Sequence, residues 1–110
     1  MTEWKEQLEL EFKRAEAARK SGNEGQARVC ARRAAGIAIR EYYARRGLSV
    51  RTPSAYDLLQ HIVDEPLISP EIRQAAGYLT LRVTEEFQLP VDVDLVKEAH
   101  KLCEALLTET

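Results

Sequence analysis

Apolar positions recur at three- and four-residue intervals through most of this chain, the period of helices with one buried face, and no stretch alternates as a strand would. The first segment, Thr2 to Lys20, carries Trp4, Leu8, Phe12 and Ala15 on one stripe among Glu, Lys and Arg, and Ser21-Gly22 ends it. The second, Asn23 to Gly47, is marked at both ends. Asn23 stands where a side chain caps a helix, and Gln26 where a capping-box side chain reaches back. Gly47 is the expected left-handed stop, preceded by Arg45 and Arg46 where the helix dipole favours cations. Between them Ala27, Cys30, Ala31, Ala34, Ile37 and Ala38 form a stripe of small side chains that other helices can approach closely. Arg28, Arg32, Arg33, Arg40 and Arg46 fall on the other side.

Gly47 to Pro53 is a connector. Ser54 caps a short helix, with Asp57 at the capping-box position, buried Leu58, Leu59, Ile62 and Val63, and a stop before Pro66. Ser69-Pro70-Glu71 is a second start signal, followed at helical spacing by Ile72, Ala76, Leu79, Val83 and Phe87 until Leu89-Pro90 breaks the chain. Asp92 or Asp94 opens the last helix, whose stripe is Val96, Ala99, Cys103 and Leu106. The connections are short, so successive helices are expected to run antiparallel. The expected fold is all-α, an up-and-down bundle of four long helices plus one short helix.

A chain of 110 residues, 45% apolar and 31% charged, has the composition of a single globular domain over 1–110. No apolar run approaches the length that spans a bilayer, and the charged N-terminus lacks the apolar stretch of a signal peptide; a cytoplasmic protein without membrane contact is expected. Cys30 and Cys103 both lie on apolar helix faces and read as buried free thiols, with a disulfide unneeded.

The net charge of −2 conceals an asymmetry: residues 23–46 hold six Arg against two Glu, and residues 47–110 hold eleven acids against five bases. Such a dipole suits association with a partner or a second copy better than general nucleic-acid binding, which favours a chain basic overall. On the second helix Arg33 and Arg40 share one direction, Arg28, Arg32 and Arg46 lie to one side, and Gly36, Val29 and Tyr43 fall between. Arg28, Arg32, Arg33, Arg40 and Tyr43 are therefore the candidate partner- or nucleotide-binding residues. The same side chains would equally serve to pair with acids of neighbouring helices.

Glu41 and Arg45, four apart in the favourable order, both project toward the apolar stripe and suit an internal ion pair near the bundle end, or the floor of a polar pocket. Gly77, Tyr78 and Leu81 face away from the Ile72/Leu79/Val83 stripe, a candidate dimer contact that packing against the short helix explains as well. His61 and His100 read as partly exposed helix residues. No His, Cys, Asp and Glu set has metal-ligand spacing, there is no Gly-rich phosphate loop, and no cofactor is expected.

The run G-N-E-G-Q-A-R-V-C-A-R-R-A-A-G-I-A-I-R-E-Y-Y, Gly22 to Tyr43, resembles the second helix of the HEPN (higher eukaryotes and prokaryotes nucleotide-binding) domains. S-A-Y-D-L-L, Ser54 to Leu59, resembles the opening of their short middle helix, and L-P-V-D-V-D-L-V-K-E-A-H, Leu89 to His100, is similar to the way several members enter their last helix. The likeness covers about residues 10 to 108. It implies a HEPN-like bundle and, as in many members, a homodimer. The family includes ribonucleases whose site is an Arg followed after four to six residues by a His. Positions 54–56 before His61 are Ser, Ala and Tyr, and positions 93–95 before His100 are Val, Asp and Leu. After Arg82 the required places hold Phe87, Gln88 and Leu89. No catalytic residue is therefore carried over. The resemblance implies a non-enzymatic binding or regulatory module, partner of a nucleotidyltransferase-type or other protein, with nucleotide or RNA contact second. The competing classes are a ribonuclease with a displaced site built from Arg33, Arg40, Glu41 and His61, and a purely structural helical adaptor.

Overall fold

A computed structural model describes residues 3–48, 50, 52–81 and 92–108. All five of its elements are helices: α1 (Glu3–Lys20), α2 (Glu24–Ala44), α3 (Ala55–Val63), α4 (Pro70–Leu79) and α5 (Leu95–Thr108). Most of the local start and stop signals act as the sequence suggests, but Ser69 makes no side-chain cap bond at α4, and α2 ends at Ala44, before Arg45 and Arg46. Gly22 takes φ 81° and Gly47 φ 73°. Around each, paired backbone bonds close the preceding helix: Gly22 N donates to Arg19 O and Asn23 N to Ala18 O, and Gly47 N donates to Ala44 O and Leu48 N to Tyr43 O. Asn23 is thus the residue that both finishes α1 and caps α2, its Oδ1 accepting from Gln26 N at 3.0 Å. Gln26 does not return the bond; its side chain points along α2 to the Cys30 sulfur. At α3, Ser54 Oγ accepts from Asp57 N. Here the reciprocal half runs through Thr52, whose hydroxyl accepts from Ser54 N and donates to Asp57 Oδ2. Asp94 caps α5, Oδ1 accepting from Val96 N and Lys97 N.

α2 is the central helix, packed against α1, α3 and α5. That is why its buried set is wider than one stripe. Ala35, Gly36, Ile39 and Tyr42 are buried along with Ala27, Cys30, Ala31, Ala34 and Ala38, while Ile37, expected inside, is only half-buried. Small side chains let three helices reach one axis, and larger core residues come from α3, α4 and α5: Leu58, Leu59 and Ile62, Ile72 and Leu79, and Leu95, Leu102 and Leu106. Val63, expected to be buried, is half-buried at the end of α3.

Two features correct the expected bundle. The chain between α2 and α3 folds back along α2, so that Thr52 O accepts from Arg40 Nη2 and Ala55 lies over Gly36. In addition, α4 stops at Leu79: the Thr80 hydroxyl takes Gly77 O at 2.7 Å, and Arg32 of α2 takes the carbonyls of Leu79 and Leu81 at 2.8 and 2.9 Å. The described elements are therefore three longer helices and two short ones. Val83, Phe87 and the Leu89-Pro90 break lie outside the described residues. α1 and α2 are antiparallel as expected. α2 and α5 run parallel, their starts joined through Arg19 and their ends through Arg45. No described helix is long and apolar enough to cross a membrane.

Candidate functional site

Gly36 controls what remains of the arginine face. A Cβ at this position would lie 3.2 Å from the Ala55 Cβ and 3.7 Å from Leu58 Cδ1, so α3 sits directly on the backbone of α2. The expected open surface with Gly36 at its middle is thus covered, because a helix residue without a side chain is where another helix approaches closest. α3 separates the arginines into two neighbourhoods.

On one side, Gly25, Arg28, Val29 and Arg32 of α2, Tyr56 of α3, and Thr80 and Leu81 after α4 line a groove of about 620 Å³. Its two arginines are not equivalent. Arg32 is committed to the carbonyl end of α4, Nε to Leu79 O and Nη2 to Leu81 O. Arg28 is half-buried and is attracted to Glu24 one turn earlier. Both Glu24 oxygens, however, are bonded by Arg19, at 2.9 and 2.6 Å. Leu81, a candidate dimer contact, belongs to this groove. Tyr78 is half-buried against the core, and among the described residues nothing lies within 4 Å of a Cβ placed on Gly77.

On the other side, Arg40 is exposed and donates to Thr52 O at 3.2 Å. Thr52 also borders a smaller hollow of about 240 Å³ lined by Asp57, Gln60, His61 and Asp64. Arg40 and His61 therefore flank the same threonine. Arg33 is exposed, and Glu41, next to Arg40 in sequence, faces the α1 and α5 side of α2, where it pairs with Arg45. Of the four residues considered for a displaced ribonuclease site, the structure brings Arg40 and His61 into one neighbourhood and leaves Glu41 outside it. His100 is occupied elsewhere, its ring stacked on Phe12 at 3.7 Å between centroids. Arg82 lies outside the described residues.

Tyr43 is half-buried at the Glu65 side of α2, edge-on to Tyr42. Burial first, then Glu65 and Tyr42, hold its phenol above the ordinary range, so it stays a neutral hydroxyl. Arg46 lies over the Tyr42 ring at 3.6 Å and donates to Tyr42 O. Glu41 and Arg45 form the expected ion pair at 2.9 Å, half-buried at 21% and 30% exposure. Arg45 also donates to Leu107 O at 2.9 Å and lies 5.5 Å from the Trp4 ring, tying the ends of α2 and α5 to the start of α1.

The junction that sequence reasoning missed is Arg19. Besides Glu24 it bonds both oxygens of Asp94, at 3.1 and 3.0 Å. Its hydrogen bonds are the main cause holding the Glu24 and Asp94 carboxyls below the ordinary carboxylate range, against the opposing effect of burial. Arg19 looks like one more cation on a solvated helix in sequence; only the position of a residue 75 further on gives it a role. Cys30 and Cys103 are buried free thiols, and burial pushes Cys103 up to about 12. Among the described residues no group of His, Cys, Asp and Glu has the geometry to hold a metal ion. No family model matches the chain, and comparison with the curated proteins and with the solved structures finds no match either.

Proposed function

We propose that this chain is a non-enzymatic HEPN-like binding and regulatory module that works by engaging a partner protein through the arginine-bearing side of α2. The observation that carries this reading is the makeup of the groove beside α3. Two guanidinium groups, a tyrosine ring and the apolar side chains of Val29 and Leu81 meet there, and no described lining residue is a His, Cys, Asp or Glu that could transfer a proton. Arginine and tyrosine over an apolar floor are the side chains that anchor protein interfaces. The resemblance to HEPN domains makes a nucleotidyltransferase-type protein the sharpest partner expectation, and a homodimer the resting state.

The test is an affinity pull-down of the tagged chain from its native lysate, with proteins and nucleic acids both identified. One stoichiometric protein is expected, captured less well by Arg28→Glu. RNA or nucleotide recovered without protein would replace the protein reading with a nucleotide-binding one. Recovery of neither leaves the helical-adaptor reading in its place.

A second reading has one observation in its favour: Arg40 and His61 both adjoin Thr52. An arginine to hold phosphate and a histidine to move a proton are the parts of a ribonuclease. Against it, the described lining of the His61 hollow includes two carboxylates, Asp57 and Asp64, which repel a phosphodiester. RNA cleavage by the purified chain, abolished by His61→Ala, would establish it.

A further inference from the structure

The groove between α2, Tyr56 and the end of α4 has an internal polarity that specifies its occupant. We infer that it docks a segment of a partner protein presenting a large apolar side chain next to a single carboxylate; this rests on the binding-module reading and names the partner's chemistry.

Three observations lead there. First, the groove measures about 620 Å³, room for one aromatic or branched side chain with its flanking main chain, over Val29, Tyr56 and Leu81. Second, the cation that can meet a ligand stands at one end. Gly25 in the first turn of α2 and Arg28 one turn on both line it, so the helix start and a guanidinium act together on an anion. At the other end are the Leu79 and Leu81 carbonyls, and Arg32 is engaged with both of them, its charge answering the negative end of α4. Third, the one carboxylate beside Arg28 is already engaged. Glu24, one turn before Arg28, is bonded through both oxygens by Arg19. Arg28 makes no hydrogen bond among the described residues, so it is the cation left for a ligand.

This count decides between ligand classes. A nucleoside polyphosphate brings several negative charges and needs several cations or N–H donors. Among the described residues of this groove it would meet one available guanidinium, the Glu24 carboxylate one turn from it, and the carbonyl end of a helix. One carboxylate asks for one cation, and the apolar remainder of the groove then receives a neighbouring side chain. The arrangement matches an acid-plus-anchor peptide and not a phosphate chain.

The experiment is selection of a random peptide library displayed on phage against the full chain, followed by anisotropy titration of the recovered peptide. The expected result is enrichment of Asp or Glu beside Phe, Tyr, Trp or Leu. Binding should be weakened about tenfold by Arg28→Gln, the loss of one charge-assisted hydrogen bond. It should be weakened further by Arg28→Glu and unchanged by Arg40→Glu. Melting curves identify any variant that fails to fold, and Arg28→Gln keeps the side chain's size should Arg28→Glu prove disruptive. Peptides without an acidic residue, binding undiminished by both Arg28 variants, or no enrichment at all would overturn the inference. So would displacement of a bound peptide by ATP, which would make the site one for nucleotides. A lysate partner that binds wild type and Arg28→Glu alike would sink the groove assignment and leave the binding-module reading standing.

Discussion

Arg19 and Asp94 meet fork to fork, two parallel hydrogen bonds of 3.1 and 3.0 Å between residues 75 apart in the chain. The same guanidinium holds Glu24, so the end of α1 and the starts of α2 and α5 share one cation. Asp94 meanwhile caps α5 with the oxygen that Arg19 also bonds.

Both carboxyls are held below their ordinary values of 4.5 and 3.8, chiefly by the Arg19 hydrogen bonds. A depressed carboxyl contributes stability that is complete above its unfolded pKa and is lost as pH falls through the folded one. The expected acid transition of wild type therefore includes a loss confined to pH below about 4.5, and Arg19→Ala removes that part. Because the side chains are 37–46% exposed, solvent screening keeps the effect small. Arg19→Ala at pH 7 should cost about 1 kcal/mol, roughly 4–8 °C in Tm. Melting curves of the two proteins between pH 2 and 7 check this; parallel curves would show that the junction carries no proton-linked stability.

Glu41 and Arg45 join three helix ends, whereas Arg28 is paired with nothing comparable. Reversal of either charge, Glu41→Lys or Arg45→Glu, should lower Tm more than Arg28→Glu does. Equal melting temperatures would refute the structural role of the Glu41–Arg45 pair.

Gly36 and Gly77 should respond oppositely to added side chains. Gly36→Val forces branched carbon against Ala55 and should destabilise the fold by about 1–3 kcal/mol. Gly77 has no neighbour among the described residues within 4 Å of an added Cβ, so Gly77→Ala should stabilise by about 0.5–1 kcal/mol through backbone entropy. Urea unfolding measures both. A loss at Gly77→Ala would indicate that a second surface closes on it in solution.

The two thiols offer a probe of the core. Cys103 lies 3.7 Å from Ala34 O, and its pKa is pushed up to about 12 by burial, so at pH 8 it is almost wholly protonated and shielded. Reaction with a disulfide reagent should proceed at the rate of unfolding and reach two thiols per chain only in denaturant. Fast reaction of the folded chain would contradict the burial of Cys30 and Cys103.

Most of the architecture was readable because its signals are local. Gly22, Gly47, Asn23, Ser54 and Asp94 act on backbone within a few residues of themselves, so their roles follow from neighbours in the chain. The candidate site was less readable because its residues act at a distance. Arg32 reads as part of a basic face until the end of α4 is seen to finish against it, and Gly36 reads as a gap in that face until Ala55 fills it. Ile39 is buried in place of Ile37 because three helices, not one, pack on α2. The Glu41–Arg45 pair was legible from its four-residue spacing alone, although it lies at the exposed end of α2 and not inside the apolar stripe.

The parallel course of α2 and α5 bears on the order in which the molecule assembles. The α1–α2 hairpin closes through contacts such as Arg19 with Glu24, five residues apart. The bonds attaching α5 to that hairpin span 75, 69 and 62 residues, and α3 and α4 lie inside the loop they close. Loop-closure entropy favours the hairpin as template and α5 as the closing piece. Truncation of buried Leu102 should then act on the unfolding limb of the chevron, and truncation of Ile39 on the folding limb. The last helix in sequence would thus be the latch of the fold, and its release the first step of coming apart.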